Sequence, residues 1–342
     1  MRSSDKGLIT GVIVALVVGL CFAGSFLTAF HSPRPQHLPV AAAGPSSAVR
    51  HLESGLASHA PGAFSIRHYP SPATARAAVA DRITDGAVLL GAHRIRLLVA
   101  DAGGTGSAEA ITSAVTEAAA ASGMQVTVSD IKPLPASNRE GLTVFFLALA
   151  LLVSSLAAGV ITTFTGRAAS VRHQAAALAI FAVAVGLATI GMAEGILGAL
   201  PGHFLPLVGV AALLSTAISV PTAALARLAP PAAGLAALTF LVVGVPASGG
   251  PAGLGSFLPT FYRVLGAVLP LGVAVRALTD ITYFDGHDIG GRLVILGVWA
   301  AGGLIVLVAT AGLRATRIGA PNGTGGSRPE PGMGHGGVEE PA

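Results

Sequence analysis

The sequence predicts an α-helical polytopic membrane protein with six transmembrane helices and a small α+β extracytoplasmic domain inserted between helices 1 and 2. Three observations predict it. Of 342 residues, 52% are hydrophobic and 11% charged, against roughly a quarter charged in an ordinary soluble domain. The apolar residues gather into runs close to the roughly 20 residues that cross a hydrocarbon core. The polar residues gather into one long stretch after the first run and one short stretch at the carboxyl end. A net charge of +4 is too small to suggest a nucleic-acid partner. The single cysteine, Cys21, excludes an internal disulfide, and no Cys/His spacing suits zinc.

Residues 1–30 contain the first apolar run, 8–30, behind Arg2 and Lys6. The run is longer than a signal-peptide core and no A-x-A site closes it, so it reads as an uncleaved anchor, with a signal peptide as the alternative. Leu20 directly before Cys21 suits lipidation poorly. Further apolar runs fall at 142–164, 175–200, 204–226, 232–246 and 292–313. Basic residues in short loops stay cytoplasmic. Arg2, Lys6, Arg167, Arg172, Arg227, Arg314 and Arg317 all fall on one side of a six-span arrangement, which puts both termini in the cytoplasm of a multi-pass cell-membrane protein. Arg263, Arg276 and Arg292 are the exception; a seventh span over 257–278 would send the carboxyl end outside.

Residues 31–63, rich in Pro, Ser, His and Ala, read as an extracytoplasmic stalk with no core. Residues 64–140 read as a βαββαβ domain. Phe64 to Tyr69 alternate as a half-buried strand does, an alanine-rich helix follows from Pro72, and apolar runs flank a Gly91-Ala92-His93 turn. A second helix carries Ile111, Ala114, Val115 and Ala118 on one face before Gly123, and Gln125 to Val128 make a last strand. Between strand and helix, Asp101-Ala102-Gly103-Gly104-Thr105-Gly106-Ser107 is either an ordinary glycine-rich turn or an anion-binding loop. His31, His37, His51, His59 and His68 share no helical or strand face and suggest solvated positions rather than a metal site.

Residues 141–314 read as a five-helix transmembrane domain with an outer re-entrant segment over 250–290, and 315–342 as a disordered cytoplasmic tail. Asn322-Gly323-Thr324 in that tail matches a glycosylation pattern on the wrong side of the membrane. Charges within spans are costly. Glu194 is a candidate for lining a substrate path or taking a proton, or a carboxylate reaching the outer interface, and Gly191 and Gly195 bracket it in a G-x-x-x-G. Pro246, Gly249 and Gly250 mark non-helical backbone that must lie at the outer surface or line a cavity. Leu258, Phe261, Leu265 and Leu269 recur at helical spacing, Pro270 breaks the run, and a second apolar helix continues. Arg276 and Asp280, four apart, can pair on one face of it, as a gate element or as a plain interfacial pair.

The topology and the motifs Val245-Pro246-Ala247-Ser248-Gly249-Gly250, Phe257-Leu258-Pro259, Leu269-Pro270 and Val275-Arg276-Ala277-Leu278 resemble the membrane subunits (permeases) of type-2 ABC exporters, in the phage-infection-protein-like branch. The segment from Tyr69 through Asp81-Arg82-Ile83 to Gly86-Ala87 also resembles that family's ectodomain opening. The resemblance implies alternating access driven by a separate cytoplasmic ABC ATPase subunit. ATP and Mg would sit on that partner and no cofactor in this chain, which has no G-x-x-x-x-G-K-[ST]. It also implies a homodimer, or a heterodimer with a related permease, moving a lipid-like or amphipathic substrate. The loop 165–174, with Arg167, Arg172 and His173, is then the candidate ATPase-coupling loop. The stretch before the first span is too short for the amphipathic entry helix of some members. The alternative is a membrane-anchored extracytoplasmic binding or scaffold protein without transport. An intramembrane enzyme ranks behind both, since no paired Asp, H-E-x-x-H or nucleophile–base spacing stands in the spans.

Overall fold

The computed structural model describes residues 3–31, 33–166, 169–251 and 253–318. Arg167 and most of the carboxyl tail, with Asn322, therefore lie outside the described residues, and residues 315–318 continue a helix instead of beginning a tail.

Helix α1 (Ser3–Phe30) is followed by an α+β unit: β1 (Leu38–Ala43), α2 (Ser46–His59), β2 (Phe64–Tyr69), α3 (Pro72–Ala80), β3 (Gly86–Leu90), β4 (Arg94–Val99), α4 (Thr105–Ala121) and β5 (Gln125–Asp130). The sheet runs β2-β1-β3-β4-β5, and among its pairs only β3 with β4 is antiparallel. The expected stalk over 31–63 is thus corrected. It contributes an interior strand, parallel to both neighbours, with Val40 opposite Ile66 on one side and Gly86 on the other. A strand buried on both faces reads as a short continuous apolar run, not an alternation, and small alanines made this one look like linker. Helix α2 buries Val49, Leu52 and Leu56, the i, i+3, i+7 stripe of an amphipathic helix. The α+β unit therefore begins at β1, before residue 64.

The two faces of the sheet are covered differently. One packs Leu38, Val40, Val88, Leu97 and Val99 against Leu52, Leu56, Ile111 and Val115 of α2 and α4. The other packs Ala41, Ala87 and Leu98 against Ala75 and Val79 of α3, and is completed by Phe284, which comes from the membrane half of the chain. Helix α3 begins at a capping box: Ser71 Oγ accepts from the Thr74 amide while Thr74 Oγ1 accepts from the Ser71 amide.

Beyond the sheet come α5 (Thr143–Thr165), α6 (Val171–Ile190), α7 (Phe204–Leu228), α8 (Ala233–Ala237), α9 (Gly244–Ala247), α10 (Thr260–Val268), α11 (Pro270–Tyr283) and α12 (Ile289–Ile318). Among the described residues, five helical stretches are long and apolar enough to cross a membrane: Thr143–Thr165, Val171–Ile196, Phe204–Leu228, Pro230–Ala247 and Ile289–Thr310. Leu16–Phe30 is a shorter apolar stretch within α1. Pro230–Ala247 includes α8, a π-helical segment over Leu238–Val243, and α9. Helices α10 and α11 bend by 74° where Leu269 is extended and Pro270 opens the second helix.

Helix α7 is the hub, with Leu207, Leu214, Ala217 and Ile218 fully buried. Two glycines let neighbours reach its backbone: a Cβ on Gly159 of α5 would stand 2.6 Å from the Ser219 carbonyl oxygen, and one on Gly303 of α12 would stand 2.5 Å from the Pro221 ring. Small residues at such crossings are how membrane helices gain close contact. Between α5 and α7, Ser155 Oγ donates to Ser215 Oγ at 2.8 Å in the buried interior. Apolar side chains such as Ile180 and Ile305 are about 70% exposed (71% and 69%) and suit contact with lipid.

Candidate functional site

The α+β unit meets the membrane half along a polar seam, and Asp280 is at its centre. This aspartate is fully buried on α11. Its carboxylate pairs with Arg82, which follows α3, and with Arg292 on α12. The Arg276–Asp280 pair expected from spacing does not form; Asp280 is taken by guanidinium groups from two other elements. Helical spacing brings i and i+4 together, but the charge of a buried carboxylate in a packed seam is answered by whichever guanidinium groups the tertiary fold brings against it.

Arg82 has a backbone φ of +56°. It follows the last residues of α3, where a helix commonly ends in a left-handed residue that is usually glycine. A non-glycine there is uncommon, and this one pairs its guanidinium with Asp280 of the membrane half. Arg82 also donates to the Gly103 carbonyl and lies 5.0 Å from the Phe284 ring centre. Burial lowers the Arg82 pKa, with Asp85 opposing the shift. Lys132 pairs with Asp285 at 3.2 Å, Asn138 Nδ2 donates to the Tyr283 hydroxyl at 3.1 Å, and Asn138 Oδ1 accepts from the Thr143 amide that starts α5.

Beside this lock opens a cavity of about 330 Å³. The α+β unit lines it with Arg82, Asp85 and the 101–107 loop, and the membrane half with Ser248, Gly250, Arg263 and Arg276. The two glycine loops touch: a Cβ on Gly253 would stand 2.9 Å from the Gly104 Cα. Gly249 and Gly250 have φ of +95° and +67°. Added side chains would meet the Gly255 amide nitrogen at 2.9 Å and the Phe30 ring at 3.2 Å respectively, so the turn both needs glycine and abuts α1. The carboxyl-terminal end of α1 is tied in as well, since Tyr262 of α10 donates to the Ser25 carbonyl at 3.0 Å and its hydroxyl lies 2.8 Å from Thr28 Oγ1.

The other sequence candidates lie elsewhere. Pro246 is buried within α9. Glu194 sits in a π-helical turn over Gly191–Ile196, with Oε2 buried and without a hydrogen bond among the described residues, and it does not line the cavity. Gly191 and Gly195 face open space, so they form no close-packing face within the chain. Arg172 and His173 are exposed in the first turn of α6; the His173 amide donates to the Ser170 cap, and His173 Nδ1 lies 2.7 Å from Ser170 Oγ. Arg82 and Arg292 were missed as partners of Asp280. No local signal in the sequence marks them.

The pKa of Asp85 is pushed up to about 6, burial outweighing the attraction of Arg82. Asp101 is also raised, by burial first and then by neighbouring Asp130. A carboxyl raised in the fold contributes stability that is full below its ordinary value, near 3.8, and is lost as pH rises through about 6. Asp85→Asn is therefore expected to melt with the unaltered protein below about pH 4 and some degrees above it at about pH 8. Equal melting at the higher pH would count against a buried, ionised Asp85. Compared with known protein families, curated proteins and solved structures, the chain finds no match.

Proposed function

We propose that the chain is the permease subunit of a type-2 ABC exporter, working as a dimer beside a cytoplasmic ATPase that binds ATP and Mg. The observation supporting this reading is the cavity between the ectodomain and the bent α10–α11 pair, lined from both halves of the chain. In the proposed topology α1 and the five long apolar helices make six spans, α10 and α11 enter and leave the outer leaflet, and both termini face the cytoplasm. Six spans are half of a twelve-span pore. Closure of the ATPase would then act through the cytoplasmic ends of the helices, among them the loop holding Arg172 and His173, and alter the seam around Asp280.

The test has two steps. A carboxyl-terminal tag is expected to resist a membrane-impermeant label on intact cells; labelling from outside overturns the topology and the exporter reading with it. Co-expressed with a candidate ABC ATPase encoded beside it, the chain is expected to co-purify that ATPase, and Arg172→Glu to reduce the recovered amount about tenfold. Undiminished recovery overturns the role of that loop. A second reading, a membrane-anchored binding protein, is favoured by the way Asp280 and Phe284 lock the ectodomain to the membrane half beside the cavity. Substrate efflux in vesicles carrying chain and ATPase separates the two.

A further inference from the structure

Arg276 lines the cavity from α11 and is largely enclosed. Among the described residues it has no hydrogen bond and no ion pair, and the charges felt between it and its surroundings are those of other cations, Arg82 and Arg292. Its Nη2 would stand 3.4 Å from a Cβ on Gly266, so the group is held against α10. With no protein acceptor, its donors are left to the cavity, where a ligand can supply one. Arginine's planar fork matches the oxygens of phosphate. Asp85, Asp101 and Glu140 line the same cavity. A purely anionic ligand would meet those carboxylates unfavourably, whereas a ligand carrying an ammonium group beside its phosphate answers both signs of charge. The volume lies at the small end of ligand pockets, enough for a polar head but not for acyl chains. The chains have a separate place to lie: α10, which supplies Arg263 to the cavity, exposes Phe261, Val264 and Val268 along its outer face.

We propose that this cavity binds the phosphate–ammonium head group of an aminophospholipid from the outer leaflet, with Arg276 as the phosphate receptor. The inference names a ligand for the cavity on which the exporter reading also rests, but binding requires neither an ATPase nor transport. It stands or falls in their absence.

The full chain is to be placed in phosphatidylcholine nanodiscs, whose quaternary ammonium cannot donate to carboxylates, and compared with discs containing phosphatidylethanolamine, phosphatidylglycerol, or phosphatidylcholine with added inorganic phosphate. Phosphatidylethanolamine is expected to raise the melting temperature by about 3 °C or more, and neither phosphatidylglycerol nor phosphate to match it. Arg276→Gln is expected to abolish the rise while melting at or above the unaltered protein in phosphatidylcholine, because an enclosed cation without a partner has been removed. Arg276→Lys is expected to keep a small part of the rise, and Arg76→Gln, on the exposed face of α3, all of it. A rise of equal size in Arg276→Gln overturns the proposal. So does the absence of any ethanolamine-dependent rise, or an equal one with inorganic phosphate alone.

Discussion

Asp280→Asn is expected to destabilise the protein by about 3–5 kcal/mol, the cost of breaking a buried ion pair and leaving its partner uncompensated. Here Arg82 and Arg292 would both lose their carboxylate, with Arg276 nearby. The effect should not stay local. Phe284, four residues on, completes the second core of the sheet, and Arg82 and Lys132 lie over its ring at 5.0 and 5.6 Å. The α+β unit of the variant is therefore expected to become protease-sensitive at temperatures where the membrane helices remain folded. Thermal unfolding and limited proteolysis in detergent read both effects. The double variant Arg82→Met/Asp280→Leu is expected to recover part of the loss, since replacing a buried pair by apolar groups costs far less than halving it. An Asp280→Asn protein as stable and protease-resistant as the unaltered one would show that the seam does not hold the halves together.

Gly266→Ala is expected to be of comparable severity. Its Cβ would stand 2.0 Å from the Ala247 carbonyl oxygen, and α11 crowds the same site, where a Cβ on Gly272 would stand 2.4 Å from the Gly266 carbonyl oxygen. Neither contact can be relieved by turning a flexible side chain, because both involve backbone at a bend between short helices. Overpacking of well-filled interiors typically costs about 1–3 kcal/mol, and the clash with the Ala247 backbone places this substitution at the top of that range or beyond. The expected result is loss of the monodisperse protein in detergent. Gly297→Ala in α12, whose Cβ would meet nothing within 4 Å, is the control and is expected to be tolerated. Normal yield and melting of Gly266→Ala would contradict the close approach of α10 to α9.

Much of the architecture was legible along the chain because its signals are local. The long apolar runs coincide with five membrane-length helices, and Pro270 stands at the bend between α10 and α11. Strands β2, β3 and β4 lie where alternation and turn residues put them, since each pairs its pattern with its own neighbours. Strand β1 was hidden because a strand buried on both faces by small side chains carries no period. The glycines of the 246–251 turn were readable as irregular backbone, but that the turn touches the 101–107 loop and α1 was not.

By itself the sequence determined where helices cross apolar surroundings, where proline and glycine interrupt them, and that a mixed α/β unit stands between the first and second runs, because these follow from burial and backbone preference within a few residues. Only the tertiary structure decided which charges meet. Asp280 takes Arg82 from 198 positions away in preference to Arg276 one helical turn away, because the pairing energy of a buried charge is set by enclosure and geometry in space, and spacing along a helix fixes neither.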